Sequence, residues 1–314
     1  MNIAAVVVTH DRPVLLMQVL TALRQQTRTV DRIIVVDNAS GAETQSVLAA
    51  RDDIDVVQSV QNLGGAGGFA LGLAHARAAG YDWIWLLDDD AVPRPQALAE
   101  LQRAIDGPAC GAGAVCGAVR EFGDLALTHR RHYDRWCGIE RPLPRRAYGG
   151  APLCIGSGSF VGFMVSAVAV ACVGLPDARF FLAYDDTDYS LRLRRAGYAV
   201  WLAPASIVDH FRSATGRLRA GPFGARHYFN IRNRIVVAHR HAALPVLPAL
   251  GASLTGLAVW LACAGRLRRG TVMILLWAII DGYRGRLGGF PAALTGPGPA
   301  DTAAPAVARS NNTP

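Results

Sequence analysis

Three consecutive aspartates close an apolar run, Trp83-Ile-Trp-Leu-Leu-Asp88-Asp89-Asp90. Carboxylates packed this closely repel one another, and a hard divalent cation that prefers oxygen ligands, Mn²⁺ or Mg²⁺, relieves the repulsion. Alternate side chains of an extended segment share a side, so Asp88 and Asp90 are expected to point together, one toward a metal and the other toward a ribose or the metal's waters. The plain alternative is a solvated acidic turn. An apolar strand that delivers three acids in a row argues against it. A second acidic group, Asp185-Asp186-Thr-Asp188, follows Phe180-Phe-Leu-Ala-Tyr and enters a helical stretch. Asp185 or Asp188 suits an N-cap, and Asp186 suits a general base that takes a proton from a hydroxyl. Asp209-His210 ends another apolar segment. A lone histidine is more often a structural hydrogen-bonder, but a neutral imidazole beside Asp90 completes a metal's coordination. In Asn62-Leu-Gly-Gly-Ala-Gly-Gly-Phe69, glycines 64, 65, 67 and 68 at the mouth of a helix leave backbone N–H groups open to an anion. The spacing is not GxGxxG and no Walker lysine follows, which disfavours dehydrogenases and P-loop NTPases. The alternative is a tight turn that lets the helix pack closely on a sheet.

The elements around these residues alternate in type. Residues 3–8, 33–36, 56–60 and 83–87 read as buried strands, and helices are expected after Pro13, over 43–50 and over 64–79. Strands alternating with helices predict a doubly wound, mostly parallel α/β sheet whose ligands lie beyond the carboxyl ends of the strands. Asp37 and the run from Asp88 to Asp90 stand at such ends. Further on, 111–119 reads as a strand, 129–148 as a loop or hairpin, 160–170 as a strand entering a helix, 185–196 as a helix and 199–202 as a short strand.

The chain has 314 residues and a formal net charge of +8, and every basic residue is arginine. Arginine's planar fork suits phosphate, and the basic balance fits nucleic acid, anionic lipid or a diphosphate. Much of the charge lies within 212–240 and 266–286, beside apolar segments, which favours lipid over nucleic acid. Residues 245–263 are nearly uncharged and 271–280 form a second apolar run. The expectation is helices that lie on or dip into a membrane, with Arg266, Arg268 and Arg269 toward lipid phosphates; a spanning helix is the second reading, and two buried helices of a soluble appendage the third. No leader precedes the first strand, so the N-terminus reads as native and cytoplasmic. The cysteines at 110, 116, 137, 154, 172 and 263 lack CxxC spacing and read as reduced, mostly buried thiols. The tail from 296 is expected to be disordered.

Together these residues resemble the family-2 glycosyltransferases of the GT-A fold, over roughly residues 1–240. Val6-Val-Val-Thr-His-Asp-Arg-Pro13 is similar to that family's first strand and turn, Ile33-Ile-Val-Val-Asp-Asn38 to its second strand, and Asp88 to Asp90 to its DxD metal motif. The resemblance implies inverting sugar transfer, with Asp186 as the base. It implies metal held by Asp88, Asp90 and His210. Nucleotide-sugar contacts are implied for Thr9, His10, Arg12, Asp37, Asn62, Gly64, Gly65, Gly67, Gly68, Asp88 and Asp89, and acceptor contacts for Asp185 and Trp201. The narrower similarity is to bacterial galactofuranosyltransferases and rhamnosyltransferase-like enzymes, which implies UDP-galactofuranose as donor, dTDP-rhamnose second, and a lipid-linked or polysaccharide acceptor. Tyr228-Phe-Asn-Ile-Arg-Asn-Arg234 and Asp281-Gly-Tyr-Arg-Gly-Arg-Leu-Gly288 also resemble segments of this group, without a mechanism; Arg232 and Arg234 suit diphosphate or lipid-phosphate binding, the alternative being helix-surface charge. The expected organisation is a GT-A domain over 1–215 (nucleotide-sugar half 1–105, acceptor half 106–215), a helical membrane-associated segment over 216–295 and a tail over 296–314. The expected location is the cytoplasmic face of the inner membrane, as a peripheral or monotopic protein. The readings to be beaten are a nucleotidyltransferase, which would release pyrophosphate, and a non-catalytic nucleotide- or glycolipid-binding membrane protein.

Overall fold

The computed structural model describes residues 1–211, 222–263 and 269–294. The first half runs β1 (Ile3–Thr9), α1 (Pro13–Arg24), β2 (Arg32–Asp37), α2 (Ala42–Ala49), β3 (Asp55–Gln58), α3 (Gly64–Ala78), β4 (Trp83–Asp88), β5 (Ala91–Pro93) and α4 (Ala97–Asp106). There follow β6 (Ala114–Glu121), β7 (Asp124–Leu125), β8 (Arg130–Asp134), β9 (Ile139–Pro142), β10 (Leu153–Ile155), β11 (Ser157–Gly158), β12 (Phe163–Ser166), α5 (Ala167–Val173), α6 (Asp185–Arg195) and β13 (Val200–His210). Three helices end the described chain: α7 (Ala225–His241), α8 (Val246–Ala262) and α9 (Arg269–Tyr283).

The main sheet has the order β10-β13-β6-β12-β4-β1-β2-β3, with β5 on β13 and β7 on β6. Its β4-β1-β2-β3 half is parallel, β6 and β13 are parallel to each other, and β12 lies antiparallel between β4 and β6. This is the mixed α/β, mostly parallel arrangement expected from the alternation of elements. β1 shows why the strands read as continuous apolar runs: Ile3, Ala5 and Val7 join the core under α1 and α4, while Ala4, Val6 and Val8 join the core under α3, α5 and α6. A strand covered on both faces has no polar side to display.

β13 differs most from expectation. Residues 199–202 read as a short strand, yet β13 continues to His210. It pairs first with β6, shifts register between Ala203 and Ile207, and ends paired with β5, His210 opposite Ala91. The bulge fits because Gly117 carries no side chain: a Cβ there would sit 2.6 Å from the Ser206 carbonyl oxygen. Arg94 closes the end with an ion pair to Asp209 at 2.8 Å.

Residues 129–148 contain the hairpin β8–β9, which with β11 forms a small second sheet. Residues 225–241, within the segment expected to be helical, form helix α7. α7, α8 and α9 share a core of their own, including Tyr228, Phe229, Ile231, Ile235, Ala249 and Leu275. Pro245 is the N-cap of α8 and Pro248 lies in its first turn, where the missing N–H costs nothing. Among the described residues, no helix is long and apolar enough to cross a membrane. The tail and the side chains of Arg266, Arg268 and Arg269 lie outside the described residues. All six cysteines are free; Cys110, Cys154 and Cys172 are exposed, so the thiols are not mostly buried as expected.

Candidate active site

Three strand ends meet at the carboxyl edge of the sheet. β4 delivers Asp88, and the turn after it places Asp90 beside β5, against which β13 lays His210. His210 Nε2 lies 3.1 Å from Asp90 Oδ1 and its Nδ1 lies 2.9 Å from Glu121 Oε1. Ligand atoms of Asp88, Asp90 and His210 all lie within 4.8 Å of one another. Two carboxylates and one imidazole around a common point suit a divalent ion that takes oxygen and nitrogen ligands, so the residues fit the Mn²⁺ or Mg²⁺ of the sequence reading.

The electrostatics express the crowding. Burial, with the Asp90 charge next, pushes Asp88 up to about 7. Burial alone would raise Asp90 too, but the hydrogen bond and charge of His210, helped by Arg12, hold it below its ordinary value. Burial works against protonation of His210, yet Asp90 and Glu121 outweigh it and push the imidazole up to about 10. Without a metal the ring is therefore an imidazolium donating in both directions.

Glu121 and His129, given no role from the sequence, stand behind His210. Glu121 ends β6 and accepts from His210 and from His129 Nε2 at 3.0 Å, and His129 Nδ1 reaches Ser159 Oγ at 2.7 Å. A hydrogen-bonded carboxylate behind a ligating histidine fixes the ring and its tautomer. Glu121 is held below its ordinary value by hydrogen bonds from His129 and His210. His129 is lowered to about 4, chiefly by burial, so it is neutral near pH 7. No local motif marks Glu121: it acquires its role only because β6 and β13 are parallel neighbours.

Asp89 turns away from the metal point. Its Oδ2 accepts from the Thr9 hydroxyl at 2.9 Å and the His10 N–H at 3.3 Å, and its Oδ1 accepts from Arg12 at 3.1 Å. The same Arg12 nitrogen donates to Asp90 at 2.9 Å. Asp89 is thus a buried tie between β1's turn and β4 rather than a free donor-binding carboxylate, and Thr9 spends its hydroxyl on it. Asp37 is also buried, and its Oδ1 accepts from the Ser40 N–H at 2.9 Å, so this oxygen shapes the turn after β2.

The glycines of 64–68 are explained mainly by packing. A Cβ on Gly68 would meet Val8 at 2.5 Å and one on Gly67 would meet Leu63 at 2.4 Å; Gly65 faces open space. Gly64 has φ +69°, and a Cβ there would lie 2.0 Å from the Phe181 carbonyl oxygen. Several amides expected to be open are also used: Gly64 N–H donates to Asn62 Oδ1 at 2.8 Å and Ala66 N–H to the Phe181 carbonyl at 3.2 Å. Asn38, given no role from the sequence, holds the turn by donating to Asn62 Oδ1 and the Gly64 carbonyl and by accepting from Leu63 N–H.

The Gly64–Phe181 contact brings the second acidic group to the first. Burial and the neighbouring Asp186 raise Asp185 well above its ordinary value, and Asp88 adds to the rise, so the two acidic motifs share one field. Asp186 points toward the hairpin: Arg131 Nη2 lies 3.6 Å from its Oδ2 and 3.3 Å separates Arg131 Nη1 from Glu140 Oε2. Burial raises Asp186, and Arg131 opposes part of the rise. Beside it lies a cavity of about 240 Å³ whose lining includes Arg131, Tyr133, Glu140, Tyr184 and Arg234. Asp188 plays a structural part, buried against His241 at 2.9 Å and Arg240 at 3.2 Å.

Trp201 is not brought here. It pairs with Val115 at the start of β13, at the opposite end of the strand from His210, and packs against the core under α1 and α4. Allowing for the register shift, Trp201 to His210 spans about six residues of β6, and at about 3.3 Å per residue that separates it from the metal point by roughly 20 Å.

A sheet-edge carboxylate pair, a histidine from the last strand and an acidic helix mouth on the far wall are the parts of a sugar-transfer site on a GT-A sheet. The family model for glycosyl transferase family 2 matches residues 4–169. The chain is 35% identical over 249 residues to the galactofuranosyltransferase GlfT1 of Mycobacterium tuberculosis H37Rv, covering 74% of this chain and 81% of that one. It is 24% identical over 253 residues to the dTDP-rhamnosyl transferase RfbF of Shigella flexneri, covering 76% and 81%. Among solved structures, it is similar to the mannosyltransferase PcManGT of Pyrobaculum calidifontis, in complex with GDP-Man and Mn²⁺, with TM-score 0.58, 17% identity and coverage of 91% and 88%. This chain belongs to glycosyltransferase family 2. It is a glycosyltransferase, related to galactofuranosyl- and rhamnosyltransferases.

Proposed function

We propose that the enzyme transfers galactofuranose from UDP-galactofuranose, with inversion, to a lipid-linked or polysaccharide acceptor, and that it needs Mn²⁺ or Mg²⁺. The observation that carries the metal dependence is the convergence of Asp88, Asp90 and His210 within 4.8 Å. When bound there, the ion supplies positive charge to the departing nucleoside diphosphate. Arg12 holds Asp90 in place and Glu121 orients His210. Asp186 is the general base: it accepts the proton of the acceptor hydroxyl as that oxygen attacks the anomeric carbon, and the diphosphate leaves from the opposite face. Its burial favours proton uptake, and Arg131, which pairs with it, lines the cavity where the acceptor's glycosyl end has room. Asp185 contacts the acceptor on the metal side. A donor of dTDP-rhamnose is the second reading, supported by the likeness to the Shigella enzyme.

The domain reading is a GT-A unit over 1–215 and a helical unit over 216–295 that docks on the cytoplasmic face of the inner membrane. Support for docking comes from two exposed stripes. Leu247, Leu250, Leu254, Leu257 and Leu261 repeat at helical spacing on α8, and Met273, Leu276, Ile280 and Tyr283 do so on α9. Apolar stripes of this extent on a helix surface mark a partner or a lipid boundary.

Incubation with UDP-galactofuranose or dTDP-rhamnose and Mn²⁺, following nucleotide release with and without EDTA, tests the proposal. Metal-dependent UDP release supports it; release from dTDP-rhamnose alone moves it to the second reading. Asp186→Asn should retain donor binding and lose about 10²–10⁴-fold in kcat. Wild-type turnover by that variant excludes Asp186 as the base.

A further inference from the structure

The loop that presents Asp185 and Asp186 has a backbone that a non-glycine segment does not adopt unaided. Phe181, Ala183 and Tyr184 have φ values of 64°, 66° and 66°. Phe181, with ψ −57°, is the centre of a γ-turn closed by Leu182 N–H donating to the Phe180 carbonyl at 2.8 Å. That turn is the strained hand of its type, and three left-handed residues within four persist only where the surroundings over-determine them.

The surroundings that do so come from α7. The Asn233 amide nitrogen donates toward three successive stretches of the loop: the carbonyls of Phe180 at 3.0 Å, Leu182 at 2.8 Å and Ala183 at 2.8 Å. Arg232 fixes which way that amide faces, because its Nε donates to Asn233 Oδ1 at 2.7 Å. Its Nη2 reaches the Phe180 carbonyl at 2.9 Å and its Nη1 the Gly288 carbonyl at 2.7 Å. Both residues are fully buried. The guanidinium is sandwiched near Tyr228 and Phe229, each 5.1 Å from the ring centroid, and Tyr228 in turn donates to Asp281 of α9 at 2.8 Å. Gly282 lets the two helices meet: a Cβ there would lie 2.9 Å from Ile235. Arg232, expected from sequence to meet phosphate or lie on the helix surface, is instead buried and spent on Asn233 and the carbonyls of Phe180 and Gly288, so segments 228–234 and 281–288 are two halves of one brace.

We propose that Arg232 and Asn233 are positioning residues of the transfer reaction, holding residues 180–184 in the conformation that presents Asp185 and Asp186 to the acceptor. This rests on Asp186 as the base. Neither residue hydrogen-bonds to the metal-binding groups or to the turn after β1; both act on the loop that carries the acidic pair. Removing it should therefore damage turnover and leave donor binding intact.

The test is Asn233→Asp, which keeps size and the Arg232 contact and replaces the donating amide by an acceptor facing three carbonyls. Asn233→Ser serves if that variant does not fold. Turnover is read on whichever of UDP-galactofuranose and dTDP-rhamnose the wild type uses, which settles the donor separately. Expected are a loss of about 10²-fold in kcat, the cost of misplacing a catalytic group by an ångström, with donor KM and the Kd values for UDP and Mn²⁺ within threefold of wild type. Hydrogen exchange, which needs no substrate, should show faster exchange confined to amides 181–188. Wild-type kcat, exchange unchanged over 181–188, or a parallel loss of UDP binding and kcat as in a merely destabilised fold would each overturn the proposal.

Discussion

Binding of Mn²⁺ to the donor-free enzyme should weaken about 100-fold between pH 8 and pH 6, because a ligating nitrogen must first give up a proton that this site holds tightly. His210 sits between Asp90 and Glu121 and is pushed up to about 10. Proton competition reduces apparent affinity by the factor 1 + 10^(pKa − pH), which is about 10² at pH 8 and about 10⁴ at pH 6 for this group. An imidazole at its ordinary value would lose only about fourfold over the same interval. Asp88, held up to about 7 by burial and by Asp90, makes the dependence steeper still below neutrality. Calorimetric or EPR titration of Mn²⁺ at pH 6, 7 and 8 reads this directly, and His210→Asn should flatten it. A wild-type change of less than tenfold would refute the reasoning. The stability of the metal-free protein follows with opposite sign. The folded-state value lies above the unfolded 6.5, so the contribution of protonated His210 is complete below pH 6.5 and is lost as pH rises through about 10. Its Tm should therefore fall between pH 8 and 10, and Mn²⁺ should offset the loss.

Glu121→Gln should weaken Mn²⁺ binding by about 10–100-fold, the usual effect of removing a carboxylate behind a ligating histidine, and should lower the Tm of the metal-free protein at pH 7, because a carboxylate held below its ordinary value by His129 and His210 stabilises the fold there; calorimetry and thermal unfolding measure both. Gly64→Ala forces a side chain onto the Phe181 carbonyl at positive φ and should cost roughly 2–4 kcal/mol in denaturant unfolding, whereas Gly65→Ala, facing open space, should be nearly neutral. The double variant Leu250→Glu, Leu254→Glu should lose most of its co-sedimentation with anionic phosphatidylglycerol vesicles and keep its kcat on a soluble acceptor; unchanged sedimentation would remove the membrane reading.

The donor half of the fold was legible because its signals are local. Residues 3–8, 33–36 and 83–87 are apolar throughout because both faces of their strands are covered, and Asp37 and Asp88 mark two of the ends without help from the rest of the chain. Asp88, Asp90 and His210 were found by residue type, and the structure brings them together. Asp89, Asp37 and the glycines were harder, since type does not reveal direction: Asp89 is spent on Thr9, His10 and Arg12, and Gly64, Gly67 and Gly68 have neighbours where ligand amides were expected. Trp201 misled for a related reason, as β13 is eleven residues long and its two ends serve different places. Glu121, His129 and the pair Arg232 and Asn233 were illegible as parts of the site. Each acts on residues 30 or more positions away in sequence or on backbone carbonyls, which leave no pattern in side-chain type.

Because its histidine comes from the last strand of the sheet, the site is assembled late in synthesis. The aspartates leave the ribosome by residue 90, but the imidazole that joins them is the 210th of 314 residues, and the helix that braces the acidic loop comes after it. A nascent chain thus carries the carboxylates for some 120 residues of elongation without their imidazole partner. Only when β13 has threaded alongside β6 and reached β5 does the enzyme acquire its appetite for a divalent ion, so metal capture reports completion of the sheet rather than its beginning.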